Sequence, residues 1–516
     1  MPSDFDIAIV GSGFGGSLLA MILRRLGRSV ILLERSRHPR FAIGESSTPL
    51  ANLLLEQIAE KYSLPRIAPL TKWGSWQKHY PTIGCGLKRG FTFYHHHFGE
   101  NWRETATRGN QLLVGASPAD RIADTHWYRP DFDHFLVREA EACSVEYLDD
   151  ASLDDVRFEA NAVRLSGSRS GKTLSVRCKF LIDATGPRGF LHSALKQKEV
   201  PLPHLPLTAG LYSHFRNVGS IEEICPLSHT PPYPVDNAAV HHVFPGGWIW
   251  VLQFNNGITS AGVAATAELA EKRGYSDGER GWSRLLDLLP TVKEQFRSAE
   301  HVRPFTYAPK LSFQTEIVHG SQWAMLPSAA GFIDPLLSTG FPLTLLGVLR
   351  LARLIESYWS TGEMEGALET YGLHTRRELR TTARLIAALY GTMDDFELFS
   401  AISLLYFAAA SFTESAMRLG KAELAGQSFL LDEHPQFAPE AHQCLELVLG
   451  GAYDRAQVIA SIRRTIECVD VAGLSDCSRR NWYPARGEDL LFSAAKVRSS
   501  KEEVLAMLKR TGFGVM

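Results

Sequence analysis

The first 34 residues constrain the fold more than any other stretch. Asp6-Ile7-Ala8-Ile9-Val10 is an apolar run of strand type, followed at once by Gly11-Ser12-Gly13-Phe14-Gly15-Gly16. SLLAMILRRLG then has helical spacing, with Leu18, Met21 or Ala20, Leu23 and Leu26 on one face and Gly27 as its stop. Ser29-Val30-Ile31-Leu32-Leu33 is a second strand, closed by Glu34. Each part has a mechanical reason. Gly11 permits the tight turn, Gly13 lets a pyrophosphate approach the backbone, and Gly16 lets the helix pack closely on the strand. The helix N-terminus offers unpaired N–H groups to phosphates. Glu34 accepts hydrogen bonds from a ribose diol. The order of strand, glycines, helix, strand and acid therefore predicts a dinucleotide site.

Three later segments predict that the dinucleotide is FAD. Ile43-Gly44-Glu45-Ser46-Ser47-Thr48-Pro49 comes shortly after the acid. Leu181-Ile182-Asp183-Ala184-Thr185-Gly186 is a strand ending in a small-residue turn. Gly331-Phe332-Ile333-Asp334-Pro335-Leu336-Leu337-Ser338-Thr339-Gly340 feeds a helical stretch, so its backbone N–H groups can serve flavin oxygens and an anion. Three dispersed returns to one site suit an extended cofactor.

A chain of 516 residues is too long for one simple core. The fold expected is α/β: a Rossmann-type FAD-binding domain of the glutathione-reductase or PHBH-like kind, an antiparallel substrate sheet and a helical C-terminal domain. The expected boundaries are 1–80, 115–190 and 300–350 for the discontinuous FAD domain, 81–114 and 191–299 for the sheet region, and 351–516 for the helices. A formal net charge of −2 argues against nucleic acid or an anionic membrane surface as partner. Seven scattered cysteines form no CxxC pair, so neither a disulfide framework nor zinc is expected and a reduced, cytoplasmic setting fits. The apolar run LFSAISLLYFAAASFT is short for a bilayer span and reads as a buried helix. MPSDFDIAIVGSG runs straight into a strand and a glycine turn with no basic or apolar leader pattern, so no signal peptide is expected. His95, His96 and His97 alternate faces in a strand and lack a carboxylate at a useful spacing, so no metal is expected.

Taken together, GSGFGG at 11–16, HPRFAIGESSTP at 38–49, CGLKRGFTFYHH at 85–96, YRPDFDHFL at 128–136, GGWIWVL at 246–252 and AAGFIDPLLSTG at 329–340 resemble the flavin-dependent halogenases, and most closely their phenol branch. The resemblance covers residues 3–360 or so. It implies an enzyme of secondary metabolism that takes FADH2 from a separate reductase. With O2, such an enzyme oxidises chloride or bromide to hypohalous acid, which a lysine directs onto an electron-rich ring. Lys88 is that lysine by position. Thr339 and Gly340 match the halide turn. Gly11, Gly13, Phe14, Gly16, Glu34, Arg40, Gly44, Glu45, Ser46, Arg129, Asp183, Gly186, Gly331, Asp334 and Pro335 match cofactor positions. Phe93, His95, Trp248 and Trp250 are implied in the substrate pocket. Trp248 and Trp250 alternate along a strand and so share one face, a wall between substrate and flavin.

The chemistry supports a buried lysine independently. Hypohalous acid is small and unselective, and an amine can hold it by hydrogen bonding or as a haloamine. Burial among apolar groups favours the neutral amine. Lys72 and Lys78 are rivals in the same stretch. Leu337 stands where indole-type members carry an acid, which points away from a tryptophan substrate. Leu252-Gln253 departs from the family's usual Ile-Pro, and Pro327-Ser328 from the Gly-Asp of the flavin monooxygenase pattern. The alternatives are an FAD-dependent aromatic hydroxylase that binds NADPH on the same chain, and a catalytically inert flavin-binding protein.

Overall fold

The computed structural model describes residues 4–514. Among these, two large sheets carry the architecture. The first is built on a parallel core in which Asp4–Val10 lies between Val30–Leu33 and Lys172–Asp183, flanked by Glu146–Leu148 and Trp323–Met325. Ile7, Ala8, Ile9 and Val30 to Leu33 are buried, as a parallel sheet covered on both faces requires. The carboxyl ends of these strands all lead to one place. Gly11, Glu34, Ala184 and the turn before Pro327 follow directly from them. That edge is where open α/β sheets bind ligands.

The glycine turn is set by backbone contact. Gly11 has φ +102°, a region that favours glycine, and a Cβ on Gly16 would run into the Gly11 carbonyl. The helix Phe14–Arg25 can therefore lie flat against the strand it follows.

The second sheet runs from Glu300–His301 through Thr208–Arg216, Thr259–Thr266, Gly247–Gln253, Ala239–Phe244, Gly90–His95 and Gln111–Gly115 to Trp482–Tyr483. It differs from the expected sheet in three ways. Gly90–His95 pairs parallel with Ala239–Phe244 because a long excursion, not a hairpin, joins them. Thr306–Ala308 joins this sheet, although it falls within the range assigned to the FAD domain. Trp482–Tyr483, deep in the helical C-terminal region, closes the far edge. Two residues of strand within a helical stretch carry no periodic signal.

The C-terminal half is mostly helical, with Gly340–Tyr358, Met364–Tyr390 and Phe396–Arg418 the longest elements. Among the described residues, two helices are long and apolar enough to cross a bilayer, but 72% and 78% of their apolar windows are buried in this fold. Phe396–Arg418, which contains the long uncharged run, packs its aromatic side chains onto the strand Gly90–His95.

Candidate active site

A cavity of about 470 Å³ lies at the carboxyl edge of the parallel sheet, under the Trp face of the second sheet. Its floor is Gly13, Phe14 and Gly15, and the small-residue turn Ala184-Thr185-Gly186 forms one side. Trp248 and Trp250 line it together, as strand alternation requires, with rings 5.7 Å apart. The helix Gly340–Tyr358 opens its N-terminus into this space, and a Cβ on Gly340 would meet no atom within 4 Å.

The donor set suits a diphosphate. A Cβ on Gly13 would stand 3.4 Å from Arg129 Nη2 and 3.8 Å from Arg40 Nη2, so two guanidinium groups converge on the glycine turn. Arg40 Nη2 also donates to Glu34, while its buried Nε has no protein partner. These residues fit the ADP half of FAD. Arg129 is fixed by paired bonds to Asp133 at 2.8 and 2.7 Å and by donation to the carbonyls of Ile43 and Gly44. The pair is buried, with 8% and 0% side-chain exposure. Arg129→Met leaves that carboxylate buried and unpaired. It is expected to destabilise the fold by about 3–5 kcal/mol, read as a lower thermal midpoint in the cofactor-free protein.

Several expected cofactor residues act from behind the wall. Asp183 is buried and accepts from the Thr185 N–H, the Thr185 hydroxyl and the Leu191 N–H, so its carboxylate shapes the turn that lines the cavity. Gly11, Gly16 and Gly331 likewise set backbone approach, and a Cβ on Gly331 would press on Leu379. Glu34 does not line the cavity itself; it is held by Ser12, Ser36 and Arg40, of which Arg40 does. Burial alone would raise its pKa, but Arg40 and the N–H donors outweigh burial and keep it below the usual value.

Asp334 and Pro335 line the cavity. Asp334 takes the Leu336 N–H and Trp248 Nε1 on one oxygen and the Tyr390 hydroxyl on the other. Burial still pushes its carboxyl up to about 7. It ties the second sheet and the C-terminal helices to the turn before Thr339. Leu337 and Ser338 take φ of +62° and +56° there, which swings the chain into the helix start.

A second cavity, about 150 Å³, lies on the other side of the segment Glu45–Thr48. Phe91, Tyr406 and Phe407 form its apolar side, and Asp124, Lys72 and Glu414 are polar groups on its lining. Lys88 sits between the two cavities and opens onto neither. It is fully buried. Its Nζ donates to Ser46 Oγ at 2.8 Å, and Ser46 lines the first cavity. It donates to the Ser47 carbonyl at 2.5 Å and stands 3.7 Å from the ring centre of Phe91, which lines the second. His241, on the first cavity, stacks against Phe91 at 5.9 Å and completes the partition.

Local sequence explains this placement. Cys85–Lys88 pairs antiparallel with Asp124–Trp127, and Lys88 faces Asp124 across the ladder. Alternation turns Arg89 the other way, to a 2.6 Å ion pair with Asp120 near the surface. A Cβ on Gly86 would collide with the Gln253 carbonyl and one on Gly90 with the Val114 carbonyl, so the glycines on either side let the strands close around Lys88. Burial pushes the Lys88 pKa down to about 7 against the pull of Asp124, and burial raises that of Asp124. Of the rivals, Lys78 is exposed, and Lys72 lines the second cavity 3.9 Å from Asp124.

Two expected pocket residues are corrected. Phe93 and His95 line neither cavity. Phe91, Phe93 and His95 share one strand face, but the helix Phe396–Arg418 covers the last two. Phe93 packs on Phe399, and His95 stacks on Phe396 and bonds the Met393 carbonyl. Only Phe91 stays open. Conversely, Asp124 and His241 had no spacing signal. Their place comes from pairing between segments far apart in sequence.

A two-sheet fold with this glycine turn and cavity defines a flavin-dependent oxidoreductase of the Rossmann type. Residues 124–397 match the family model described as tryptophan halogenase. Tetracycline 7-halogenase of Kitasatospora aureofaciens is 30% identical over 353 residues, 66% of this chain and 61% of that protein. Monodechloroaminopyrrolnitrin halogenase PrnC of Pseudomonas fluorescens is 27% identical over 409 residues, 78% of this chain and 70% of that one. The crystal structure of halogenase PltM with phloroglucinol and FAD superposes with a TM-score of 0.82 at 24% identity, over 92% of this chain and 99% of that one. The chain belongs to the flavin-dependent halogenase family.

Proposed function

We propose that this protein is an FADH2-dependent halogenase that chlorinates or brominates an electron-rich, phenolic ring. The observation that carries the reading is Lys88, a buried amine that touches the lining of both cavities. FADH2, delivered by a separate reductase, supplies the two electrons with which O2 becomes an oxidant for halide. Gly13, Arg40 and Arg129 would hold its diphosphate, and Gly44, Glu45 and Ser46 on the same cavity would flank it. Thr339 and Gly340, at the helix start, hold the halide.

The later chemistry belongs to the chain itself. To pass from the first cavity to the second, hypohalous acid must cross the partition at Lys88, whose amine then keeps it from diffusing and presents its halogen to the ring. The ring carbon gains the halogen, the oxygen–halogen bond breaks, and hydroxide leaves with the ring proton as water: HOX + ArH → ArX + H2O. Trp248, Trp250 and His241 keep the organic ring out of the first cavity, which disfavours direct hydroxylation.

The test is mass spectrometry of a panel of phenols incubated with protein, FAD, a flavin reductase, NADH and either halide. A halogenated product that needs both reductase and halide is expected. A hydroxylated product from protein and NADPH alone would assign the rival hydroxylase. Tight FAD binding with no product would leave an inert flavoprotein.

A further inference from the structure

Asp124 has a role that the ion pairs around it do not exhaust. It is 2% exposed and lines the second cavity. Its Oδ1 takes the Asn52 side-chain amide at 2.8 Å, and Lys72 Nζ lies 3.9 Å from the same oxygen. Among the described residues, Oδ2 receives no hydrogen bond. A buried carboxyl on a cavity lining, with one oxygen that has no protein donor, invites a donor from outside the protein, because leaving that bond unmade costs desolvation. The space beside it is small. A cavity of about 150 Å³ is the size that admits one benzene ring. Phe91, Tyr406 and Phe407 supply aromatic faces for that ring.

We propose that Asp124 is the specificity-determining residue of the ring site: its free oxygen accepts the hydroxyl of a single-ring phenol and so sets which ring carbon turns toward the Phe91 wall, behind which Lys88 lies. The inference rests on the halogenase reading and narrows its substrate class. Anchoring through the hydroxyl is productive because that group enriches the carbons ortho and para to it. Asn52 keeps the carboxyl turned, and Lys72, 3.9 Å from the same oxygen, opposes the burial that raises its pKa. A fused polycycle exceeds the space, so the ring site selects by size as well as by donor.

The test separates recognition from turnover. Binding of resorcinol and of 1,3-difluorobenzene, which has nearly the same shape but no donor, is measured by ligand-observed NMR on FAD-loaded protein. Wild type is expected to prefer resorcinol by about tenfold or more, the range of one buried charged hydrogen bond. In Asp124→Asn the preference is expected to fall to about threefold or less, and the ratio of halogenated isomers should change. Ser411→Phe, which fills the cavity from the helix Phe396–Arg418, should remove binding of both compounds. It also keeps the proposal testable if Asp124→Asn does not fold. An undiminished preference in Asp124→Asn, or resorcinol binding that survives Ser411→Phe, overturns the proposal while leaving the halogenase reading intact. Selective binding that depends on Asp124, with no halogenated product from any phenol, overturns the halogenase reading and supports the site.

Discussion

Replacing Lys88 with alanine is expected to abolish halogen transfer while FAD still binds, with a fall on the order of a hundred- to ten-thousandfold in product formed per flavin oxidised. The amine contacts no part of the glycine turn and meets the cofactor path at Ser46, so the loss should fall far more on product than on cofactor retention. Lys88→Met keeps the aliphatic stem and should lose as much activity, which separates the amine from the packing it provides. Activity should also depend on pH in a definite direction. Burial holds Lys88 at about 7, so the neutral amine grows as pH rises through that value. A haloamine route therefore gains with pH, with a midpoint near 7. The groups facing the amine reinforce this. His241 is pushed down to about 3 and His126 well below its ordinary value, both chiefly by burial, so both stay neutral there, and Asp124 is the one facing carboxylate. Stability carries the same signature. Between about 7 and the ordinary value of 10.5 the unfolded chain binds more protons at this site than the folded one. The Lys88 contribution to folding stability should thus rise with pH across that window, read as the difference in slope between wild type and Lys88→Met, since buried thiols such as Cys85 and Cys178 pull the other way at its upper end. Full activity in Lys88→Ala, or a profile flat in pH, counts against the assigned role.

Gly16→Val is expected to be the most damaging single change in the cofactor domain. The new Cβ would overlap the Gly11 carbonyl and press on Ala184, so the helix Phe14–Arg25 must lift from the strand beneath it. That displacement moves the N–H groups that receive the diphosphate and opens a core where Leu18, Leu19 and Ile22 are fully buried. The purified protein should carry little or no FAD by absorbance and should melt well below wild type. Gly366→Ala, in the helix Met364–Tyr390 where a Cβ meets no atom within 4 Å, is the matched control and should leave both readings unchanged. Normal FAD content in Gly16→Val would show that close helix–strand packing is not what positions the cofactor.

The legible part of this molecule is the part written in local order. Strand, glycines, helix, strand and acid are adjacent in the chain, and each depends on neighbours within a few residues, so Gly11, Gly13, Gly16 and Glu34 could be placed from spacing alone. The alternation of Trp248 and Trp250 was readable for the same reason. Even the wrong expectation for Phe93 and His95 was locally sound. They share the face of Phe91, and a helix some 300 residues later covers them, while Phe91, packed on Phe407 of the same helix, keeps an edge on the second cavity. The sequence by itself therefore determined the nucleotide-binding unit, the faces of its strands and the residue types able to handle a halogen. Tertiary structure alone decided which lysine is dry, which carboxylate faces it, and where one cavity stops and the next begins. The reason is physical: desolvation and enclosure are properties of several distant segments meeting around a point, and no spacing within one segment encodes them.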